Sequence, residues 1–135
     1  KLSMQSLDPS WAPATPEPQF LRVLVVEDEP EALTAMLEMI ALLGHWATGV
    51  STAEGARDRF IEGAFDVLLT DVALPALSGF DLVDMLRARH PVQVIFASGK
   101  MQPANLADDT VWLQKPFGID ALSEALARAQ RRLSS

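Results

Sequence analysis

Acidic, hydroxyl and ammonium side chains follow four apolar stretches of this chain. Glu27 and Asp28 come directly after "RVLVV", and Asp71 ends "DVLLTD". Ser98 ends "VIFAS", and Lys115 follows "VWLQ". Carboxylates gathered around one point need a hard divalent cation, and Mg²⁺ prefers such oxygen ligands. With a hydroxyl and an ammonium added, the set suits a transferring phosphoryl group whose nucleophile is a carboxylate.

Two observations limit this interpretation. The sequence contains neither GxxxxGK[ST] nor GxGxxG, the glycine-rich motifs that bind nucleotide phosphates. We therefore expect the phosphoryl donor not to be a bound nucleotide. Taken alone, Glu27-Asp28-Glu29 also suits a solvated acidic turn, with Glu29 favourable to a helix dipole. The metal interpretation depends on the other polar residues lying beside this turn.

The composition excludes several classes of protein. Eighteen acidic residues stand against eleven basic ones, a net charge of −7, so the chain lacks the basic surface that nucleic acid requires. It has no cysteine, which excludes disulfides, thiolate metal sites and cysteine nucleophiles and favours the cytoplasm. No apolar run approaches the ~20 residues of a membrane span, and no signal-peptide pattern is present.

The first residues differ in composition from the rest. The stretch "DPSWAPATPEPQ" is rich in proline and has no hydrophobic period, so residues 1–19 are predicted to be an extended linker or leader. The folded domain is predicted to span residues 20–135. With a proline-rich stretch before it and no further region after residue 135 of this sequence, we expect this domain to be the last one of a longer protein or a stand-alone protein with a leader.

From Phe20 onward, short apolar runs alternate with amphipathic stretches. Strands are predicted over residues 20–26, 45–50, 65–71, 91–98 and 109–115. Helices are predicted from Glu29 to a stop at Gly44, from a Ser51–Glu54 capping box to residue 63, over residues 79–90, and from about Gly118 onward. Strict alternation predicts an α/β fold, a doubly wound five-stranded parallel sheet with right-handed crossovers. In such a sheet the strand ends that carry the polar residues share one edge.

The connection between the last two predicted strands is unusually short. Only the eleven residues 99–109 lie between Ser98 and Thr110, whereas a parallel crossover with its helix takes a dozen or more residues. Pro103 is tolerated only in the first turn of a helix. The fourth helix is therefore predicted to be short or absent.

Four motifs occur in a familiar order: "RVLVVEDEP", "DVLLTDVALPALSGFDL", "VIFASG" and "VWLQKPF". In residues 20–133 the chain resembles the receiver domains of response regulators in two-component systems, which have a flavodoxin-like fold. The most diagnostic piece is D-x-x-x-P-x-x-x-G, from Asp71 through Pro75 to Gly79. The resemblance implies a phosphorelay function.

The resemblance implies a role for each acidic residue. Asp71 would be the phosphoacceptor and a ligand of Mg²⁺. Asp28 would bind the cation directly, and Glu27 directly or through water. The backbone carbonyl of Ala73 would supply a further ligand. Glu27 departs from the family's commoner aspartate by one methylene, and Ala73 offers no polar side chain.

The resemblance also implies roles on the last two strands. Ser98 would donate a hydrogen bond to one phosphoryl oxygen, and Lys115 would pair with another. Ser98 and Trp112 would be the switch residues. Trp112 occupies a position that is usually Tyr or Phe, and packing alone is the alternative for it. The peptide bond between Lys115 and Pro116 is typically cis in this family.

These assignments imply a domain that takes a phosphoryl group from a histidine kinase or a histidine phosphotransfer domain, as part of a hybrid histidine kinase or alone. It would be no enzyme beyond its own phosphorylation and dephosphorylation, although a hybrid parent would be a histidine kinase. His45 and His90 match no donor spacing, so the donor histidine would lie elsewhere. The alternative is a phosphorylation-independent pseudo-receiver on the same fold. An aspartate-nucleophile phosphatase would normally show a second aspartate where Ala73 stands.

We also expect the domain to remain monomeric. Receivers commonly signal through the surface of the fourth helix, the fifth strand and the fifth helix, and here one of those parts is nearly missing. A partner is instead expected near the phosphorylation edge and the first helix.

Overall fold

The computed structural model describes residues 20–134, so the predicted linker or leader over residues 1–19 lies outside the described residues. The strands are β1 (Arg22–Val26), β2 (Trp46–Val50), β3 (Val67–Asp71), β4 (Gln93–Ser98) and β5 (Thr110–Gln114). The helices are α1 (Pro30–Leu42), α2 (Ala53–Glu62), α3 (Gly79–Arg87) and α4 (Ile119–Ser134).

All five strands form one parallel sheet in the order β2-β1-β3-β4-β5. The predicted doubly wound topology is confirmed. The chain passes from β1 outward to β2 and returns to β3 on the other side of β1, so the strand order reverses between β1 and β3. Ligand sites of open α/β sheets form outside the carboxyl ends of the strands at such a reversal.

Both faces of the sheet are covered, which explains the nearly continuous apolar strands. Val23 and Val25 of β1 belong to the core beneath α1 and α4. Leu24 and Val26, which point the other way, belong to the core beneath α2 and α3. Because successive side chains of a strand alternate between faces, a strand buried on both sides must be apolar at every position.

The helix ends follow local sequence signals, with one correction. Gly44 has φ +89° directly after α1 and its C-cap, as predicted for a left-handed stop. The predicted Ser51–Glu54 capping box is wrong. Thr52 is the N-cap of α2, and its hydroxyl accepts the N–H of Gly55 at 2.9 Å. The buried residues Ala53, Ala56 and Phe60 set the phase of this helix, which places its first turn one residue later than the capping-box spacing suggested.

Residues 99–109 cross from β4 to β5 through turns and irregular backbone, so the described residues contain no helix between these strands, as the prediction of a short or absent helix allowed. Arg87 of α3 holds the end of this segment. Its guanidinium lies 3.1 Å from the carboxylate of Asp109 and donates to the Asp109 carbonyl at 3.2 Å. A surface pocket of about 500 Å³ remains between α3 and the segment, with Phe80, Phe96 and Leu106 among its lining residues.

Candidate functional site

The carboxyl ends of β1, β3, β4 and β5 lie at one edge of the sheet, as the parallel topology requires. Glu27 and Asp28 directly follow β1, and Asp71 is the last residue of β3. Ser98 is the last residue of β4, and Lys115 follows Gln114 at the end of β5. The structure therefore brings the predicted polar residues to a single edge.

Three of these residues form an acidic cluster. One carboxylate oxygen each from Glu27, Asp28 and Asp71 lies within 4.8 Å of the others. Glu27 is 1% exposed and Asp71 is 8% exposed, whereas Asp28 faces solvent. Like charges this close repel one another unless a cation lies among them.

Lys115 supplies a cation from the protein itself. Its Nζ lies 2.7 Å from Oε1 of Glu27 and 3.2 Å from Oδ2 of Asp71. Burial by itself lowers the pKa of Lys115, but the hydrogen bonds and charges of the two carboxylates outweigh it and raise this pKa above its ordinary value. The ammonium therefore stays charged at neutral pH. It lies beside the carboxylate predicted to be the phosphoacceptor.

The backbone around Asp71 is tightly fixed. The N–H of Ala73 donates to Oδ1 of Asp71 at 3.2 Å, and the N–H of Gly79 donates to the carbonyl of Val72 at 2.8 Å. A Cβ on Gly79 would lie 2.3 Å from the carbonyl oxygen of Asp71. The glycine of the D-x-x-x-P-x-x-x-G motif thus allows α3 to begin directly against the end of β3.

Between Asp71 and Gly79 the chain makes one strained turn. Ala76 has φ +69°, in the left-handed region that residues with a side chain rarely adopt. The preceding Pro75 accepts a hydrogen bond from the N–H of Leu77 at 2.7 Å. This turn closes the loop that leads from the acidic cluster to α3.

Ser98 is 7% exposed and ties two parts of the site together. Its Oγ accepts the N–H of Lys100 at 3.1 Å, which shapes the start of the β4–β5 segment. Its carbonyl accepts the N–H of Lys115 at 2.7 Å. The next peptide bond, from Lys115 to Pro116, is cis, as the resemblance implied.

Trp112, at the predicted switch position, connects β5 to the same segment. Its indole Nε1–H donates to the carbonyl of Lys100 at 3.0 Å. Its ring packs against Phe80 and Phe96, with centroids 6.4 Å and 6.2 Å away. Trp112 thus contacts both the aromatic rings of Phe80 and Phe96 and the backbone that follows Ser98.

Sequence reasoning missed three features of this site. It did not predict that Glu27 pairs with Lys115, although the additional methylene lengthens the side chain of Glu27 and was a sequence signal for such a contact. It did not identify Phe80 as a neighbour of Trp112, because that contact joins distant elements. The left-handed conformation of Ala76 had no sequence signal, since glycine or asparagine usually occupies such a position.

The donor set fits a hard divalent cation. Carboxylate oxygens are the ligands Mg²⁺ prefers, and an exposed Asp28 leaves room for the waters this ion retains. None of the sulfur or imidazole donors that favour softer metals belongs to this cluster. The carboxylate of Asp71 is 8% exposed and is flanked by Lys115 and the cation site, so it is suited to receive a phosphoryl group.

Comparison with known proteins agrees with this chemistry. The sequence model of the response regulator receiver domain matches residues 23–127. This chain belongs to the response regulator receiver domain family. The receiver is 35% identical over 149 residues to the virulence sensor protein BvgS of Bordetella pertussis and 35% identical over 116 residues to the transcriptional regulatory protein KdpE of Mycobacterium tuberculosis.

These matches cover different shares of the two relatives. They include 94% of the receiver but 12% of BvgS, and 82% of the receiver but 51% of KdpE. The receiver thus spans a small part of the sensor and about half of the regulator.

Solved structures share the fold. A CheY-like receiver domain from Methylobacillus flagellatus superposes with a TM-score of 0.73 at 26% identity, covering 82% of this chain and 99% of that one. A receiver domain protein from Clostridium thermocellum gives 0.75 at 26% identity, covering 84% and 97%. In the described part of this receiver, no helix combines the length and apolar character needed to cross a membrane.

Proposed function

We propose that this receiver accepts a phosphoryl group on Asp71 from a phosphohistidine of a histidine kinase or a histidine phosphotransfer domain. The observation that carries the proposal is the position of Lys115, whose ammonium lies 3.2 Å from Asp71 at the edge where the acidic cluster forms. An ion pair that only stabilised the fold would need Lys115 and the buried carboxylates of Glu27 and Asp71. It would not need the exposed Asp28 beside them.

The reaction is a displacement at phosphorus. One carboxylate oxygen of Asp71 attacks the phosphorus atom, the bond from phosphorus to the histidine nitrogen breaks, and the electron pair of that bond stays on the imidazole. The product is an acyl phosphate on Asp71. Lys115 neutralises one phosphoryl oxygen, and the hydroxyl of Ser98 donates a hydrogen bond to another.

Asp28 and Asp71, with the backbone carbonyl of Ala73, would hold Mg²⁺, and Glu27 would bind it directly or through water. The cation would supply positive charge that stabilises the phosphoryl oxygens during transfer. The protein's own part is to orient Asp71 through the N–H of Ala73 and to hold Lys115 next to it.

The proposal extends to the partner and the location. The donor histidine would lie on another domain or protein, because both histidines of this chain have other contacts. His45 accepts the N–H of Leu21 at 2.9 Å, and His90 packs on Phe60. We place the domain in the cytoplasm, where a kinase has access to ATP. Beyond phosphorylating and dephosphorylating itself, the domain would not be an enzyme.

Phosphorylation is tested by intact mass after incubation with acetyl phosphate. The wild type is expected to gain one phosphoryl group with Mg²⁺ and none with EDTA, and Asp71→Asn is expected to gain none. Asp58→Asn serves as the matched control, because that carboxylate is 68% exposed on α2. Labelling of Asp71→Asn to the level of Asp58→Asn contradicts the proposal.

A further inference from the structure

Two large aromatic rings are exposed at the amino ends of β1 and β2, the edge of the sheet opposite to the acidic cluster. Phe20, two residues before β1, is 39% exposed, and Trp46, the first residue of β2, is 66% exposed. Their ring centroids lie 5.3 Å apart, and the ring planes are inclined by 18°. Leu42 ends α1 at the same edge, and its side chain is 79% exposed. We call Phe20, Leu42 and Trp46 the amino-edge patch.

The main chain holds the two rings beside one another. The carbonyl of Leu21 accepts the N–H of Trp46 at 2.9 Å, and the N–H of Leu21 donates to Nδ1 of His45 at 2.9 Å. Of the ring pairs within residues 20–134, this is the only one with both members exposed. Contiguous exposed apolar surface of this kind marks an interaction site.

The patch by itself is too small to hold a second copy of the chain. Two aromatic rings bury about 300–500 Å² when they are fully covered. Stable interfaces between separate proteins bury roughly 800 Å² on each partner. A segment that is already joined to the patch needs less area, because a short covalent connection gives it an effective concentration of the order of millimolar. The patch therefore favours an occupant from the same chain.

The segment that precedes Phe20 has the chemistry that exposed aromatic rings bind. It is rich in proline, and Pro13-Ala14-Thr15-Pro16 is a P-x-x-P motif. Such motifs bind to aromatic surfaces as polyproline II helices, and their stiffness lowers the entropic cost of binding. With three residues per turn, Pro13 and Pro16 fall on one ridge about 9 Å long. That length is close to the width of two rings whose centroids lie 5.3 Å apart.

The connection from this ridge to the patch is short but sufficient. Residues 17–19 join Pro16 to Phe20, and an extended chain spans at most about 3.6 Å per residue, so Pro16 stays within about 14 Å of Phe20. In Glu17-Pro18-Gln19-Phe20 the proline stands second, the position it favours in a chain-reversing β-turn. The sequence thus allows the ridge to return over Trp46.

We propose that the proline-rich segment before the domain docks on the amino-edge patch, with Pro13 and Pro16 against the exposed face of Trp46. The contact is supported by the sequence of this segment, which lies outside the described residues, and by the exposed patch. It involves no atom of the phosphorylation site. Docked there, the segment leaves the carboxyl edge of the sheet, with its acidic cluster, uncovered.

NMR of the full chain measures this contact directly. The chain has three tryptophans, Trp11, Trp46 and Trp112, so the indole signals are few. We expect nuclear Overhauser effects between the indole protons of Trp46 and the ring protons of Pro13 and Pro16. A Trp46 indole that shows these effects to Phe20 but to neither proline overturns the proposal.

A double variant tests whether the proline ridge makes the contact. Pro13→Ala/Pro16→Ala is expected to abolish the effects to the segment and to move the indole signal of Trp46. The signal of Trp112 should stay in place, which also checks that the domain is folded. Pro9→Ala is the matched control, because Pro9 lies four residues before Pro13 and hence off the ridge. An unmoved Trp46 signal in the double variant, or an equal shift in the control, contradicts the proposed ridge.

Sedimentation velocity over a range of protein concentrations distinguishes the segment from a second copy as the occupant. We expect a monomer at every concentration. A concentration-dependent dimer that Trp46→Thr abolishes would show that the patch binds another copy of the chain, and the proposal would then be wrong.

Discussion

Replacing Gly79 by alanine tests how closely α3 is built against the phosphoacceptor strand. The new Cβ would lie 2.3 Å from the carbonyl oxygen of Asp71 and 3.0 Å from Cα of Val72. Both are backbone atoms, which cannot rotate away as a side chain can. To restore ordinary contact, the start of α3 and the end of β3 must separate by about 1 Å.

This separation has a cost in stability and a cost in function. Overpacking of this kind destabilises a protein by about 1–3 kcal/mol, and the better helix propensity of alanine offsets less than about 1 kcal/mol of it. We therefore expect unfolding free energy to fall by about 1–2 kcal/mol. A displacement of about 1 Å at a reacting group lowers rates by about a hundredfold, so phosphorylation of Asp71 should slow by a factor of that order.

Urea unfolding and time-resolved intact mass with acetyl phosphate measure the two effects. Gly99→Ala is the matched control. Gly99 lies at the same edge of the sheet, directly after β4, but no atom lies within 4 Å of a Cβ at this position. If Gly79→Ala is as stable and is phosphorylated as fast as Gly99→Ala, the close approach described here does not exist.

Three further outcomes are expected. Ala76→Gly should raise unfolding free energy by about 1 kcal/mol, because it relieves the left-handed strain at φ +69°, and a lower urea midpoint would contradict this. Burial lowers the pKa of His45 in the folded state, so folding favours the neutral imidazole. The resulting contribution to stability is complete above the pKa of the unfolded state and is lost as the pH falls below that value. His45→Asn should therefore reduce the loss of stability between about pH 8 and about pH 5.5, and an identical pH profile would refute that. Sedimentation velocity with and without BeF₃⁻ should show a monomer in both states, since the described residues form no helix between β4 and β5; a BeF₃⁻-dependent dimer would show the expectation is wrong.

Much of the fold could be predicted because its signals are local. Apolar runs such as residues 23–26, buried on both faces of the sheet, differ clearly from the 3.6-residue period of α1, and the alternation of strands with helices implies a parallel sheet. The gathering of Asp28, Asp71 and Lys115 followed from topology alone, since parallel strands end at one edge. The missing fourth helix followed from the length of residues 99–109 and from Pro103.

The remaining features depend on contacts between distant side chains, which no local pattern encodes. The N-cap of α2 is Thr52 because Ala53 is buried at the start of the helix, which outweighed the Ser51–Glu54 spacing. The pairing of Lys115 with Glu27 depends on distances of tenths of an ångström across the two strands, β3 and β4, that separate β1 from β5. The left-handed turn at Ala76 is imposed by its closed loop and contradicts the preference of the residue itself.

The direct path of residues 99–109 also bears on the order in which the sheet assembles. Pairing β1 with β3 brings Val23 to Val67, a closure more than twice as long as the one that brings Val94 to Thr110 in β4 and β5. Each doubling of a closed loop adds about 0.6 kcal/mol of entropic cost. Low sequence separation speeds folding, so the β4–β5 pair, which carries Ser98 and leads to Lys115, is the strand pair best placed to form first. The half of the site that holds the phosphoryl oxygens would then exist before the acidic half closes against it.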